Sequence, residues 1–205
     1  MGELHVNMHV TLDGVVQANG GPTEQDAGYE YAGWETPYGD AEAGERIIAD
    51  VEASDALLLG RTTYDIFRSY WPDKTDRIGQ AFNRVPKYVA SRGAPDLSWE
   101  ASTQVTDVGS EVGALRERHH EIHTWGSANL LQALLHEGLV DQLNLWVYPV
   151  VLGTGKRLFP EGTPPNRFEL AEPPRSYPGG ATLMRYRCLN SLPETRAHDD
   201  LPPDG

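Results

Sequence analysis

The sequence predicts an α/β protein, in which short buried strands alternate with amphipathic helices. Residues 56–59 form a continuous apolar run, which is typical of a strand covered on both faces of a sheet. Residues 41–53 place isoleucine and valine side chains on one helical face and charged side chains on the other. A short strand, a turn of small residues and a helix follow one another across residues 121–136. This alternation of strands and helices indicates the α/β class.

The first forty residues contain one predicted strand and a long acidic segment. Residues 3–12 alternate apolar and polar side chains, as in a half-buried strand, and Asp13-Gly14 favours a turn after it. Residues 23–40 are acidic and carry three tyrosines and one tryptophan among glycines. We interpret this segment either as a loop or short helix that lines a cleft, or as a surface excursion held by its aromatic side chains.

The remaining elements follow in chain order. They are a helix from residue 61 to the Trp71-Pro72 pair, a short helix around 78–82, strands at 86–92 and 98–101, a helix carrying Val108, Val112 and Leu115, a strand at 121–125, a helix at 130–136, and strands at 141–152, 167–170 and 181–188. After residue 189 the composition becomes polar and rich in proline. We therefore predict one domain over residues 1–190 and a disordered tail over residues 191–205.

Size and composition narrow the class of protein. The chain has 205 residues, of which 39% are hydrophobic and 23% charged, as in a globular protein with a full core. No apolar run approaches the roughly 20 residues of a membrane-spanning helix. The first residues lack the basic and apolar regions of a secretory signal, so we expect a cytoplasmic location. The single cysteine, Cys188, excludes an internal disulfide and a cysteine-based zinc site.

The net charge of −13 is distributed unevenly. Residues 1–60 hold twelve acidic side chains against Arg46 alone, whereas the centre of the chain is close to neutral. An acidic surface repels nucleic acid, so we predict no nucleic-acid partner. A small anionic ligand is expected only near the central basic side chains. These are Arg61, Arg68, Lys74, Arg77, Arg84, Lys87 and Arg92.

The junction between residues 57–59 and the following helix is a candidate phosphate site. Gly60 permits a tight turn and close approach of a ligand, and Thr62 and Thr63 are able to cap the helix. A helix start presents N–H groups and a positive dipole end, and Arg61 can bind phosphate through two hydrogen bonds. The alternative is an ordinary turn with a solvated arginine.

Two further strand ends carry groups that are suited to binding an anionic ligand. Ser91 and Arg92 follow a short strand, and ligands of open α/β sheets collect at strand C-termini. The turn Gly126-Ser127-Ala128-Asn129 opens a helix with small side chains, which let a ligand approach the backbone N–H groups.

Several other motifs are absent or incomplete. His119, His120 and His123 lack the His-Glu-x-x-His spacing, so we interpret them as structural or solvated and predict no metal site. Residues 153–156 read Gly-Thr-Gly-Lys, but Val150 and Arg157 stand where a Walker loop needs glycine and a hydroxyl residue. The sequence contains neither the Gly-x-Ser-x-Gly of serine hydrolases nor the Gly-x-Gly-x-x-Gly of Rossmann folds.

Matched segments, in order and with their spacing, indicate a family. They are 11–14 (Thr-Leu-Asp-Gly), 59–64 (Leu-Gly-Arg-Thr-Thr-Tyr), the pair Ser91-Arg92, and 125–130 (Trp-Gly-Ser-Ala-Asn-Leu) with 149–155 (Pro-Val-Val-Leu-Gly-Thr-Gly). Through them, residues 3–188 resemble the dihydrofolate reductase superfamily. The resemblance is strongest to stand-alone homologues of the reductase domain of the bifunctional riboflavin-biosynthesis deaminase-reductase.

The resemblance implies a three-layer αβα fold with a mixed, mostly parallel central sheet that binds NADPH across its strand ends. By this resemblance, the adenosine phosphates would be held by Arg61 and Thr62 together with Ser91 and Arg92. The pyrophosphate and the nicotinamide side would be cradled by Gly126, Ser127 and Ala128, with Gly60 and Asn129 beside them in the same motifs. The nicotinamide would lie near Val16 and Gln17. The basic side chains favour NADPH over NADH, because the extra 2′-phosphate needs cationic partners. The resemblance also implies a homodimer, which the apolar final strands favour.

The sequence departs from this family at two points. Trp125 stands where the riboflavin reductases have an acidic residue before the glycines, and the deaminase half is missing. The carboxylate with which true dihydrofolate reductases bind and protonate the pterin is also not identified. Its candidates are Glu30, Glu35, Asp40, Glu42 and Glu45.

The predicted function is an NADPH-dependent reductase that transfers hydride to a C=N or C=O bond of a small heterocyclic, pterin-like or ribosylaminopyrimidine-like substrate. Asp13 is our candidate proton donor, with a purely turn-forming role as its alternative. The alternative functions are a nucleotide-binding or sensory protein of the same fold without turnover, and a purely structural domain.

Overall fold

The computed structural model describes residues 1–21, 23 and 26–195. These residues form nine strands, five α-helices and one short 3₁₀ helix. The strands are β1 (Glu3–Thr11), β2 (Ala56–Gly60), β3 (Lys87–Ala90), β4 (Ser102–Val105), β5 (Glu121–Trp125), β6 (Gln142–Tyr148), β7 (Phe168–Leu170), β8 (Arg175–Ser176) and β9 (Thr182–Cys188). The helices are α1 (Ala41–Ala53), α2 (Arg61–Tyr70), α3 (Arg77–Arg84), α4 (Val108–Arg118) and α5 (Ala128–His136), and the 3₁₀ helix spans Thr36–Tyr38.

All nine strands belong to one sheet, in the order β4-β3-β2-β5-β1-β6-β9-β7, with β8 paired to β9. The strands from β4 to β6 run parallel to their neighbours, whereas β9 runs antiparallel to β6, and β7 and β8 run antiparallel to β9. The mixed, mostly parallel sheet implied by the resemblance is therefore confirmed. Because six strands are parallel, their C-terminal ends meet at one edge of the sheet.

Helices cover both faces of this sheet. Alternate residues of β2 show the arrangement, because Leu58 packs in one apolar cluster and Leu57 and Leu59 in another. The cluster around Leu58 contains side chains of α4 and α5, and the cluster around Leu57 contains side chains of α1, α2 and α3. An aromatic cluster adjoins the second face and contains Trp146. The three-layer prediction is thus confirmed.

The central strand β1 is buried on both faces, which differs from the half-buried strand that we predicted from its alternating pattern. Its polar residues His5 and Asn7 are only 7% and 0% exposed. The reason is tertiary: β1 lies between β5 and β6 in the middle of the sheet. The polar face of β1 therefore meets polar side chains of the neighbouring strands, such as His123 and Asn144, instead of water.

Three local predictions are wrong. The strand predicted at 98–101 begins at Ser102, because Trp99 is buried in the core and Ala101 has a positive φ of 57° that breaks an extended strand. The strand predicted at 141–152 ends at Tyr148, since Pro149 has no N–H to continue the ladder. The two-residue strand β8 lies between the strands predicted at 167–170 and 181–188, where we predicted no strand.

The proposed division at residue 190 stays a prediction, and residues 196–205 of the predicted tail lie outside the described residues. Across the part of the chain that the structure describes, we find no helix with the length and apolar character needed to cross a membrane.

Candidate active site

One serine connects two strand ends at the C-terminal edge of the sheet. The Oγ of Ser127 accepts a hydrogen bond from the backbone N–H of Gly60 at 2.9 Å and donates one to the Oγ1 of Thr63 at 2.7 Å. Residue 60 must be glycine for this contact, because a Cβ there would lie 2.8 Å from the Ser127 oxygen. The starts of α2 and α5 are therefore held side by side.

The backbone of Ser127 adopts a conformation that costs free energy. Its φ and ψ are 66° and 65°, and the preceding Gly126 also has a positive φ of 68°. A non-glycine residue in this left-handed region costs about 1–2 kcal/mol. The side-chain contacts of Ser127 and a bond from the Gly126 N–H to the carbonyl of Asn7 at 3.0 Å hold the turn in place. Such strain persists where the surrounding structure enforces it, as it does in many functional sites.

The two helices that start here differ from the others in their caps. At α1, α3 and α4, an aspartate accepts hydrogen bonds from first-turn N–H groups; these residues are Asp40, Asp76 and Asp107. Among the described residues, no side chain caps α2 at Gly60 or α5 at Ser127. The cap by Thr62 or Thr63 that we considered is thus not formed. First-turn N–H groups of both helices are therefore available to an anionic ligand.

Arg61 extends from the start of α2 to the loop after β3. Its Nε lies 2.9 Å from Asp65, and its Nη1 donates to the carbonyl of Ala94 at 3.2 Å. That loop includes Ser91, whose Oγ accepts from the N–H of Gly93 at 3.2 Å, and the exposed Arg92. The structure thus brings the predicted residues of the β2 and β3 ends together, with a guanidinium group between them.

The other central basic residues lie elsewhere, although the sequence grouped them with Arg61 and Arg92. Arg68 pairs with Asp96, and Lys74 lies 4.3 Å from the centre of the Tyr70 ring. Arg77 pairs with Glu45 and Glu52, Arg84 donates to the Glu52 carbonyl, and Lys87 is fully buried. Arg61 and Arg92 are therefore the basic residues of this set that stand at the strand ends.

The loop after β1 forms the other side of this edge. Val16 and Ala128 are partly buried against the same apolar cluster, whereas Asn129 is exposed. Gln17 is held by three contacts: its side chain accepts from the N–H of Lys156 at 3.1 Å and donates to Asp26 at 2.9 Å, and its carbonyl accepts from Trp34 at 2.8 Å. The loop is therefore fixed between the turn after β6, which contains Lys156, and the segment that contains Asp26 and Trp34.

Asp13 is occupied in holding a turn. Its carboxylate accepts from the hydroxyl of Thr11 at 2.6 Å and from the N–H of Gly153 at 2.8 Å, and it pairs with Arg157 at 4.0 Å. The hydrogen bond from Thr11 contributes most to the lowering of the Asp13 pKa, and backbone N–H groups of Gly153 and Leu152 add to it, so the group is ionised at neutral pH. These contacts match the turn-forming alternative, and the catalytic role of Asp13 stays a prediction.

A second polar group lies beside the loop after β1. The Nδ1 of His9 is 2.6 Å from the carboxylate of Glu35 and 2.8 Å from the hydroxyl of Tyr148. The amide of Asn19, which belongs to that loop, donates to Glu35 at 2.8 Å. The side chain of Glu35 is 23% exposed.

Burial and the contacts of Glu35 change its pKa in opposite directions. Burial opposes ionisation of Glu35, but the neighbouring His9 and the amide of Asn19 outweigh it, and the pKa of Glu35 is lowered. Burial, with the nearby Glu35 carboxylate, raises the pKa of Tyr148. The result is an ionised carboxylate, an imidazole and a neutral phenol that share one set of hydrogen bonds.

Glu35 differs from the other four candidate carboxylates. Asp40 caps α1, Glu42 pairs with Arg175, Glu45 pairs with Arg77, and Glu30 is exposed. Our sequence analysis left Glu35 unresolved and missed His9 and Tyr148. The available signal was weak: both stand near the C-terminal ends of predicted strands, where ligands of parallel sheets collect.

Two surface cavities lie away from these groups. One of about 380 Å³ is at the opposite edge of the sheet and is lined by Gly2 and residues 116–120 of the α4 end. The other, of about 170 Å³, lies between Leu135 and Phe168.

Comparisons with known proteins agree with this architecture. The chain is similar to the uncharacterized protein YyaP of Bacillus subtilis, with 32% identity over 111 residues, and it spans 59% of that relative's length. Among solved structures it is similar to a pyrimidine reductase-like protein from Corynebacterium diphtheriae, with a TM-score of 0.66 and 16% identity, covering 92% of each chain. It is also similar to a putative riboflavin biosynthesis protein from Shewanella, with a TM-score of 0.63 and 18% identity, covering 91% of this chain and 98% of the other.

A larger protein shows the same fold in part of its length. RibD of Acinetobacter baumannii superimposes with a TM-score of 0.63 and 15% identity, and the match covers 92% of this chain but 58% of that one. The sequence model of the RibD C-terminal domain family matches residues 3–179, most of the chain. The protein therefore belongs to the RibD C-terminal domain family, whose reductase-like fold the resemblance predicted.

Proposed function

We propose that this protein is an NADPH-dependent reductase that reduces a C=N or C=O bond of a small heterocyclic substrate of the pterin or ribosylaminopyrimidine type. The observation that carries the proposal is the Ser127 contact, which places the uncapped starts of α2 and α5 side by side. Parallel sheets bind ligands at this edge, and membership of the RibD C-terminal domain family supports reductase chemistry.

The residues at this edge suit a dinucleotide. First-turn N–H groups of the two helices are donors for pyrophosphate oxygens, and Arg61 and Arg92 supply positive charge for a 2′-phosphate. Thr62, Ser91 and Asn129 would add polar contacts from the surface. When bound, NADPH supplies the hydride, and the protein positions the substrate and supplies the proton.

Glu35 and His9 are the best-placed groups for the proton. Glu35 is partly exposed, contacts His9 at 2.6 Å and is tied through Asn19 to the loop that the resemblance places near the nicotinamide. In this proposal the ionised Glu35 accepts a hydrogen bond from a ring N–H of the substrate and orients it, and the His9 imidazole passes a proton to the nitrogen or oxygen of the bond that the hydride reduces. The hydroxyl of Tyr148, held neutral by its raised pKa, lies 2.8 Å from the His9 Nδ1 and fixes the ring.

The test has two stages. NADPH binding should quench tryptophan fluorescence and sensitise the nicotinamide emission, and a panel of oxidised pterins and ribosylaminopyrimidines should then oxidise the bound NADPH. Binding without turnover over the whole panel would favour a nucleotide-binding or sensory protein, an alternative that the fully engaged Asp13 supports. The absence of any NADPH binding would exclude both. A homodimeric assembly and a cytoplasmic location stay predictions.

A further inference from the structure

The N-terminal half of the polar face of the sheet carries a repeated pattern. The segment Glu3-Leu4-His5 opens β1, and Glu121-Ile122-His123 opens β5. The parallel register pairs Glu3 with Glu121 and His5 with His123. Since alternate residues of a strand share a face, two carboxylates and two imidazoles form a square on adjacent strands.

Three of these side chains converge. The carboxylate of Glu121 lies 2.7 Å from the Nε2 of His123 and 3.4 Å from the Nδ1 of His5. One ligand atom from each residue lies within 4.8 Å of the other two. Ligand atoms about 2.1 Å from a tetrahedral metal ion are about 3.4 Å apart, so small side-chain movements are enough to enclose an ion.

We propose that His5, Glu121 and His123 bind a divalent transition-metal ion, with Zn²⁺ as the best chemical match. Two imidazoles and one carboxylate are among the common three-residue sets for this ion, and a water molecule completes its tetrahedron. The sequence analysis set His123 aside with His119 and His120 because of their spacing, and it missed His5, which β1 brings beside β5.

The surroundings suit an ion-binding site. Glu3 lies 2.9 Å from the Nε2 of His5, so it orients that ring and leaves the Nδ1 for the ion, as outer-shell carboxylates do at zinc sites. The side chains of His5 and His123 are 10% and 2% exposed, whereas that of Glu121 is 34% exposed. The exposed part of Glu121 gives the ion a route of entry and the water a place. This site lies at the N-terminal ends of β1 and β5, opposite to the candidate active site.

Without an ion, a directed chain of amides holds His123. Gln142 donates to Asn144 at 2.9 Å, Asn144 donates to Asn7 at 2.9 Å, and the Asn7 amide nitrogen lies 3.3 Å from the Nδ1 of His123. The Nδ1 therefore accepts, and the Nε2–H donates to Glu121. An ion on the Nε2 displaces that proton, so the neutral ring carries its proton on the Nδ1. For the Asn7 oxygen to accept from it, the Asn7 amide gives up its bond to the Thr124 carbonyl, and the amides of Asn144 and Gln142 turn with it.

The site can be tested on the full-length protein, purified without a histidine tag and stripped with a chelator. Titration with Co²⁺ should give visible absorption of tetrahedral intensity at one equivalent, and Zn²⁺ should abolish it by competition. Glu121→Gln should lower the binding affinity for both ions by at least about tenfold. It should also remove the rise in melting temperature that Zn²⁺ causes in the parent. His120→Ala, which removes an exposed histidine, is the matched control and should bind like the parent.

Glu121→Gln keeps the size of a partly exposed side chain, so it is expected to fold. Asn7→Asp is expected to have the opposite effect on Zn²⁺ affinity. A carboxylate that faces the Nδ1–H of His123 should tighten Zn²⁺ binding. Saturable binding that His120→Ala removes, or that Glu121→Gln leaves unchanged, would overturn the proposal. The absence of saturable binding of both Co²⁺ and Zn²⁺ by the stripped parent would also overturn it.

Discussion

The hydroxyl oxygen of Ser127 lies 2.9 Å from the backbone nitrogen of Gly60, across 67 residues of sequence. This contact joins the ends of β2 and β5, and it exists because residue 60 has no Cβ. Two helix starts without side-chain caps among the described residues are thereby placed next to each other. The cofactor-binding part of the proposal depends on this relationship.

Gly60→Ala should destabilise the protein and weaken NADPH binding. The added Cβ would lie 2.8 Å from the Ser127 oxygen, and overpacking of this kind costs about 1–3 kcal/mol in the free energy of unfolding. Urea denaturation and fluorescence titration measure the two effects. Gly44→Ala is the control, because a Cβ there meets nothing within 4 Å in the interior of α1. It should raise stability by about 0.5–1 kcal/mol and leave NADPH affinity unchanged; equal behaviour of the two variants would contradict this account.

Arg61→Ala should weaken NADPH binding by about tenfold or more, since a hydrogen bond to a charged group contributes about 1.5–3 kcal/mol. The loss for NADH should be smaller if Arg61 contacts the 2′-phosphate. Isothermal titration with each cofactor gives both values. Arg118→Ala removes the same charge from an exposed position at the end of α4 and should bind both cofactors like the parent. Unchanged NADPH affinity in Arg61→Ala would exclude a phosphate contact for this residue.

Glu35→Gln should lower kcat by about 10²–10⁴-fold while the dissociation constant of NADPH stays constant. The change removes the carboxylate that holds His9 and the substrate, and the general acid–base step that depends on this pair contributes about that much. Single-turnover oxidation of NADPH separates the two quantities. Glu45→Gln is a suitable control, since Glu45 is exposed and pairs with Arg77 away from His9. If Asp13→Asn lowered kcat more than Glu35→Gln did, without loss of stability, Asp13 would be the proton donor.

Protonation of Glu35 in acid should lower the free energy of unfolding. Its pKa is lower in the folded protein than in the unfolded chain, so its ionisation stabilises the fold above the unfolded pKa of about 4.5, and this contribution is lost as the pH falls through the folded pKa. The free energy of unfolding should therefore fall less steeply below pH 4.5 in Glu35→Gln than in the parent. Urea denaturation at several pH values measures this slope, and parallel curves would contradict the expectation.

Lys87 should make stability rise with pH in the alkaline range. Its ammonium is fully buried on the carbonyls of Asn83 and Glu100, and burial lowers its pKa to about 8. Between pH 8 and the unfolded value of 10.5, the unfolded chain binds the proton and the folded protein does not. The free energy of unfolding of the parent, relative to Lys87→Met, should thus increase by about 2 kcal/mol from pH 8 to pH 10.

The same denaturation series tests the alternative for Lys87. If the ammonium stays protonated on its two carbonyl groups and the Trp99 ring up to pH 10, the difference between Lys87→Met and the parent will not depend on pH.

The sequence by itself determined the α/β class, the order of the main elements and the family. Local periodicity is sufficient for this, because the apolar run at 56–59 and the stripe of α1 each record which of their own faces is covered. The motif around Gly60 and the turn at Gly126 were likewise visible, since both express backbone requirements of a few adjacent residues.

Only the tertiary structure decided which of these residues meet. Five carboxylates were equivalent in the sequence, and Glu35 became distinct because β1 and β6 lie side by side and bring His9 and Tyr148 to it. The two Glu-x-His segments form a cluster only because β5 pairs with β1, more than a hundred residues away, in one register. The pairing of parallel strands depends on long crossover connections and global packing, and no local pattern of side chains records it.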